Sequence, residues 1–262
     1  MLYGIRTEEE IKIMREGGKI LSSVMKTLGS KVKPGISTGE LEDLACELIE
    51  KAGGRPSFKF YKISEDSEPF PTALCTSINE EVVHGPAYPS RVVKEGDILS
   101  IDVGMEYPFS ENGNGMYTDM ARTFPVGKIS KEKKDLMDAT RKCLDLGIKQ
   151  IKPGNTINDI GSAIENYIES KGYSVVRDLV GHGVGRAVHE EPQIPHYYAG
   201  KHYDIPLHEG MTIAVEPMVT AGSWEVDIAD DGVTFVTRDG SMSAHFEDTI
   251  LITKKGAEII TR

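Results

Sequence analysis

Cysteine is scarce in this 262-residue chain, which has only three. An odd, scattered set does not make a disulfide framework of the kind that staples small secreted folds. Cys46 and Cys143 fall inside helical patterns and read as small core residues. No stretch approaches the ~20 consecutive apolar residues of a bilayer-spanning helix, so no membrane partner is expected. The opening MLYGIRTEEEIKIMREGGKI lacks the basic start and uninterrupted apolar run of a signal peptide. Instead, Thr7 followed by Glu10 fits a capping box, in which each side chain accepts the other residue's free backbone N–H. Positive charge is also short, with 30 Lys and Arg against 41 Asp and Glu and a formal net charge of −11. That balance argues against nucleic acid or an anionic surface as the main partner, since both require a dense basic patch. Lys131, Lys133 and Lys134, interrupted by Glu132, read as a solvated helix face. A reducing cytoplasm is the expected compartment.

What the chain has is internal repetition. Residues 33–53, KPGISTGELEDLACELIEKAG, match residues 152–172, KPGNTINDIGSAIENYIESKG, at a constant offset. Ser37 and Thr156 stand at the N-cap, with Glu40 and Asp159 three residues on, and Gly53 and Gly172 supply the stop. Leu41, Leu44, Ala45, Leu48 and Ile49 recur as Ile160, Ala163, Ile164, Tyr167 and Ile168, an apolar stripe at helical spacing. Downstream, KEGDILSID (94–102) echoes HEGMTIAVE (208–216), a glycine turn leading to a strand that delivers one carboxylate. Helices are expected at 7–28, 38–52, 130–151 and 157–171, and strands at 72–78, 97–103, 117–124, 211–219, 232–237 and 245–252. The class is mixed, with two similar halves, about 30–125 and 150–252, packed about a pseudo-twofold within one domain over 1–262.

Asp102, Asp119, Glu216 and Glu247 all lie in apolar, strand-like runs. Each alone is an ordinary strand-end carboxylate; together, buried near one another, they would repel strongly. Cations resolve that conflict. One histidine with four carboxylates is too oxygen-rich for a structural zinc site. It suits two adjacent divalent ions bridged by carboxylates, ~3.5 to 4 Å apart, as in hydrolases. Mn²⁺, Fe²⁺ or Co²⁺ fit this donor mix, with Zn²⁺ or Ni²⁺ as further candidates. GHGVGRAVHEEP, at 181–192, offers His182 and His189 seven residues apart, which is not the spacing that puts two ligands on one helix face.

The set NEEVVHG, SIDVG, YTDMARTF, GHGVGRAVHEEP, VEPMV and HFEDT, in this order over nearly the whole chain, resembles the type I methionine aminopeptidases. The resemblance implies an α+β pita-bread fold, with duplicated halves around a central antiparallel sheet. It also implies removal of the N-terminal methionine from nascent proteins and peptides whose second residue is small. By position, Asp102 would chelate one of two divalent ions, Asp119 and Glu247 would bridge both, and His182 with Glu216 would complete the other shell. A metal-bridging water or hydroxide would be the nucleophile, and Glu216 the proton shuttle. His189 would contact the scissile carbonyl and His84 the peptide nitrogen side; locally, His84 reads only as a turn residue before Gly85-Pro86. Cys75 and Phe70 would line the methionine pocket; Phe58, Phe60 and Tyr61 are further candidates, though each reads slightly better as core. Transient ribosome contact and a monomeric state complete the expectation.

The chain departs from that family in three places. The segment between Asp102 and Asp119 is longer, rich in Gly, Asn and Ser, and reads as an extended hairpin or surface excursion. Val233 stands where many relatives have tryptophan, and Trp224 lies upstream of it. His245 and Asp248 flank Glu247 where other residues are commoner. A proline-specific aminopeptidase or dipeptidase shares the five ligands but usually carries an additional N-terminal domain, and type II methionine aminopeptidases carry a long insertion. An inactive binding relative would lack some ligands. Glu190 and Glu191 read as structural.

Overall fold

A computed structural model describes residues 3–62, 65, 67–111, 113 and 115–262. Four helices carry the expected signals. In α1 (Glu8–Lys31) and α2 (Thr38–Lys51) the capping boxes close as Thr7 with Glu10 and Ser37 with Glu40. α3 (Lys131–Ile148) starts at a Ser130 cap, and α4 (Ile157–Glu169) at a Thr156–Asp159 box. Gly53 and Gly172, just past α2 and α4, have φ of 83° and 78°, which an L side chain would resist.

Each helix pair buries its apolar stripe against its own sheet. Leu21, Leu28, Leu41, Ala45 and Ile49 of α1 and α2 pack on Leu99, Ile101 and Val103. Cys143 and Leu144 of α3, with Ile160 and Ile164 of α4, pack on Ile213, Val215 and Ile250. The first sheet centres on strand Ile98–Tyr107, which pairs antiparallel with Leu74–Ile78 and, over ten residues, with Met116–Pro125. The second runs in the order Gly256–Ile259, Asp248–Thr253, Thr212–Val215, Gly181–Gly183, Glu190–Ile194, all antiparallel. Among the described residues no helix is long and apolar enough to cross a membrane.

The sheets meet where Met116–Pro125 faces the chain around Glu247. Asp119 N–H donates to Thr249 Oγ1 at 2.9 Å, and that hydroxyl donates to Asp119 O at 2.8 Å. Glu247 N–H donates to Ala121 O at 2.9 Å. Arg122 pairs with Asp248 at 2.6 Å.

Two expected strands are broken. The 211–219 run becomes Thr212–Val215 and Met218–Thr220, and the 245–252 run becomes Ser243–His245 and Asp248–Thr253. Val215 pairs with Asp248 and Met218 with His245, so the two interruptions, Glu216-Pro217 and Phe246-Glu247, lie opposite each other. Pro217 has no N–H for a ladder. Glu216 gives its N–H to His196 and Glu247 gives its own to Ala121 of the first sheet, so neither joins the ladder between these two runs. The 232–237 run shortens to Phe235–Thr237, because Asp231 caps a turn by accepting from the N–H groups of Val233 and Thr234. Between Asp102 and Asp119 the strands run on to Tyr107 and from Met116, giving an extended hairpin; Asn112 and Asn114 lie outside the described residues.

Candidate metal centre and substrate face

Register decides which carboxylates converge. Asp102 pairs with Ala121 and Asp119 with Gly104, so both acids lie diagonally on one face of the ten-residue ladder. His182 pairs with Ala214, and just past the end of that strand Glu216 brings its Oε1 to 3.3 Å from His182 Nε2. Glu247 enters from the strand break. Donor atoms of Asp119, His182 and Glu247 lie within 4.8 Å of one another, as do those of Glu216, His245 and Glu247. Asp102 belongs to neither tight group and adjoins the cluster through Asp119.

Charge makes this cluster unstable by itself. Burial, reinforced by Asp119 and Glu216, holds the Asp102 carboxyl well above the carboxylate range. Burial and Asp119 do the same to Glu216; burial, Asp119, Glu216 and Asp102 do it to Glu247. Asp119 is pushed by burial to about 7. Asp102 Oδ1, Asp119 Oδ1 and Glu247 Oε1 are buried with no hydrogen-bond partner. His182 adds a tautomer argument. Its Nδ1 lies 2.9 Å from the Gly183 carbonyl, which can only accept, so the proton is on Nδ1. Nε2 then presents a lone pair 3.3 Å from Glu216 Oε1. Burial, then His189, pushes the imidazole pKa down to about 3, so protonation does not relieve that contact. Orphaned oxygens, mutually repelling carboxylates and a bare imidazole nitrogen are a donor set that fits divalent cations.

An exposed histidine marks the open side of this cluster. His189 packs edge-on to His182, ring centres 4.5 Å apart, and its Nδ1 meets the Tyr61 hydroxyl at 2.9 Å. His84 does sit in a turn, with φ 61°, yet its ring is edge-on to Phe235 at 5.5 Å. Burial, then His189, lowers its pKa to about 4. Cys75 pairs directly with Asp102 and joins Phe58 and Val188 in an apolar cluster flanked by Tyr61, Phe70 and Tyr117. Phe58 and Tyr61 thus stand with Cys75 and Phe70, while Phe60 is 70% exposed outside them. Trp224 packs on Arg177, its ring centre 5.5 Å from the guanidinium.

Glu190 pairs with buried Arg6 at 2.6 Å and accepts from the N–H groups of Arg186 and Ala187. It fixes the loop between His182 and His189, and Glu191 is exposed. Two residues escaped the motif reading. His196, fully buried, accepts the Glu216 N–H on Nε2 at 3.0 Å. His245, noted only as unusual, has its Nε2 3.5 Å from Glu216 Oε2. Nothing in the spacing of His196 reveals its contact, because a fold-dependent pairing creates it.

Comparison with known proteins shows the family. Residues 12–254 match metallopeptidase family M24. The chain is 46% identical over 259 residues to methionine aminopeptidase 1 of Bacillus subtilis, covering 98% of each. It is 37% identical to the Escherichia coli methionine aminopeptidase, covering 100% of this chain and 94% of that one. The Thermotoga maritima methionine aminopeptidase structure superposes with a TM-score of 0.90 at 42% identity, covering all of both chains. A prolidase from Pyrococcus furiosus, at 23% identity and TM-score 0.73, covers 98% of this chain but 65% of its own and shares the fold. The chain therefore belongs to metallopeptidase family M24, as one of its methionine aminopeptidases.

Proposed function

We propose that this enzyme removes the N-terminal methionine from peptides and nascent proteins whose second residue is small, using two divalent ions. The observation that carries the reading is a carboxylate cluster with a bare His182 Nε2, set directly beside the apolar group of Phe58, Phe70, Cys75 and Val188. Asp102, Asp119, Glu247, His182 and Glu216 would hold the ions, with Asp102 toward one, Asp119 and Glu247 shared between the two, and His182 with Glu216 toward the other. When bound, divalent ions supply Lewis acidity and water acidified toward neutral pH. Mn²⁺, Fe²⁺ and Co²⁺ suit the donors best.

The protein's own groups do the rest. Cys75 and Phe70 seat the methionine side chain, and the substrate's free α-amine would go to an ion held by the neighbouring carboxylates, which favours a chain end over an internal peptide. Glu216 takes the proton of the attacking water and returns it to the leaving amine. His189 donates to the scissile carbonyl as negative charge builds there, and His84 supports the peptide nitrogen side. Tyr61, on His189 Nδ1, fixes which imidazole nitrogen faces the substrate. The matched helix starts and glycines support one catalytic domain of two halves, about 30–125 and 150–252. A monomer in the cytoplasm, meeting new chains at the ribosome, is the setting proposed.

Metal-stripped protein reloaded with Mn²⁺, Fe²⁺ or Co²⁺ is expected to release methionine from Met-Ala and Met-Gly peptides and to leave Met-Leu largely intact. Cleavage beside proline instead, or no release with any metal, would overturn the proposal.

A further inference from the structure

We propose that His245 is a positioning residue that donates its Nε2–H to Glu216 Oε2 and so holds Glu216 in the orientation that takes the proton. The imidazole is 1% exposed, and neither ring nitrogen has a hydrogen-bond partner among the described residues. A buried polar ring without partners is costly, and the one polar contact recorded for it is Glu216.

Glu216 lies between two imidazoles whose roles differ. Oε1 is 3.3 Å from His182 Nε2 and Oε2 is 3.5 Å from His245 Nε2. His182 spends its proton on Gly183 O and presents a lone pair, as a ligand must. No carbonyl claims His245 Nδ1, which leaves its single proton free to sit on Nε2, toward the carboxylate. A modest closing of the 3.5 Å contact makes it a charge-assisted hydrogen bond.

The position of His245 is itself fixed. Its backbone N–H donates to Thr123 Oγ1, and its carbonyl accepts from the same hydroxyl, both at 2.9 Å. Its pairing with Met218 sets the ring beside the Glu216-Pro217 break. Glu216 is thus held twice, by His196 at the main chain and by His245 at the carboxylate. A glutamate at a strand break has no regular neighbours to restrict its side chain, and a donor on one oxygen removes that freedom.

The inference rests on Glu216 being ligand and proton acceptor, and the full-length enzyme separates the two ideas. His245→Gln keeps an N–H donor of similar reach; His245→Met and His245→Leu remove it at similar volume. The donor-free variants, checked for folding by circular dichroism, are expected to lose at least ~10-fold in kcat with KM changed little. Their Mn²⁺ affinity by calorimetry should fall by a similar factor, and His245→Gln should recover both. The visible Co²⁺ absorption band should stay in place in every variant, since no ligand is lost. Wild-type kcat and metal affinity in the donor-free variants would overturn the inference. So would a tenfold loss in folded His245→Gln, or a Co²⁺ band shift marking His245 as a ligand. Glu216→Gln is the control: normal turnover there would sink the role of Glu216, whereas a dead control beside normal His245→Met sinks only this inference.

Discussion

Removing the metal should expose the charge conflict as a pH-dependent loss of stability, and Asp119→Asn isolates it. Asp119 moves from its ordinary 3.8 to about 7 in the folded protein, chiefly through burial. The folded state therefore holds this proton more tightly than the unfolded chain. Its contribution to stability is complete below pH ~4 and is lost as pH rises through about 7. At 1.36 kcal/mol per pH unit, the full loss is on the order of 4 kcal/mol, of which about 3 kcal/mol falls between pH 5 and 8. The buried His182, His196 and His245, each lowered to about 3, act in the opposite direction below pH ~6.5, because the unfolded chain takes up their protons. They are common to both proteins, so the difference in melting temperature between Asp119→Asn and wild type reports Asp119 together with its repulsion of Asp102, Glu216 and Glu247, which acts in the same direction. In chelator, that difference should move in favour of the variant by about 8 °C from pH 5 to 8. With saturating Mn²⁺ the order should reverse, since wild type binds the ion better. A difference that does not change with pH in chelator would refute the reasoning.

Three further outcomes can be checked. Glu216→Gln should lower kcat at least ~100-fold in metal-loaded enzyme, because an amide does not accept the proton; steady-state release of methionine at saturating peptide measures it. His189→Ala should cost about 100-fold in kcat with a smaller change in KM, read on a Met-Ala peptide. Arg6→Ala leaves Glu190 without its buried partner and removes the guanidinium donors to Thr212 Oγ1 and to the Val184 carbonyl, which keeps only the Thr212 hydroxyl of the two side-chain donors. It should cost about 3 kcal/mol, or about 9 °C in a thermal melt.

The sequence by itself determined the helices, since capping residues, apolar stripes and terminal glycines act within one turn of chain. It also determined the carboxylate-bearing runs and, through ordered motifs, the type of chemistry. Strand ends were less legible. TIAVEPMV and AHFEDTIL read as continuous strands; Pro217 is a local reason for the first break, whereas the second shows only where Phe246-Glu247 faces it. Phe58 and Tyr61 could not be told from core aromatics until the chain placed them beside Cys75, while Phe60 turned outward. Tertiary structure alone decided that His196 and His245, ordinary apolar-flanked histidines in sequence, converge on Glu216 from separate strands and loops. Local signals fix what a few neighbouring residues do; the meeting of groups 20 to 145 residues apart depends on sheet register and packing.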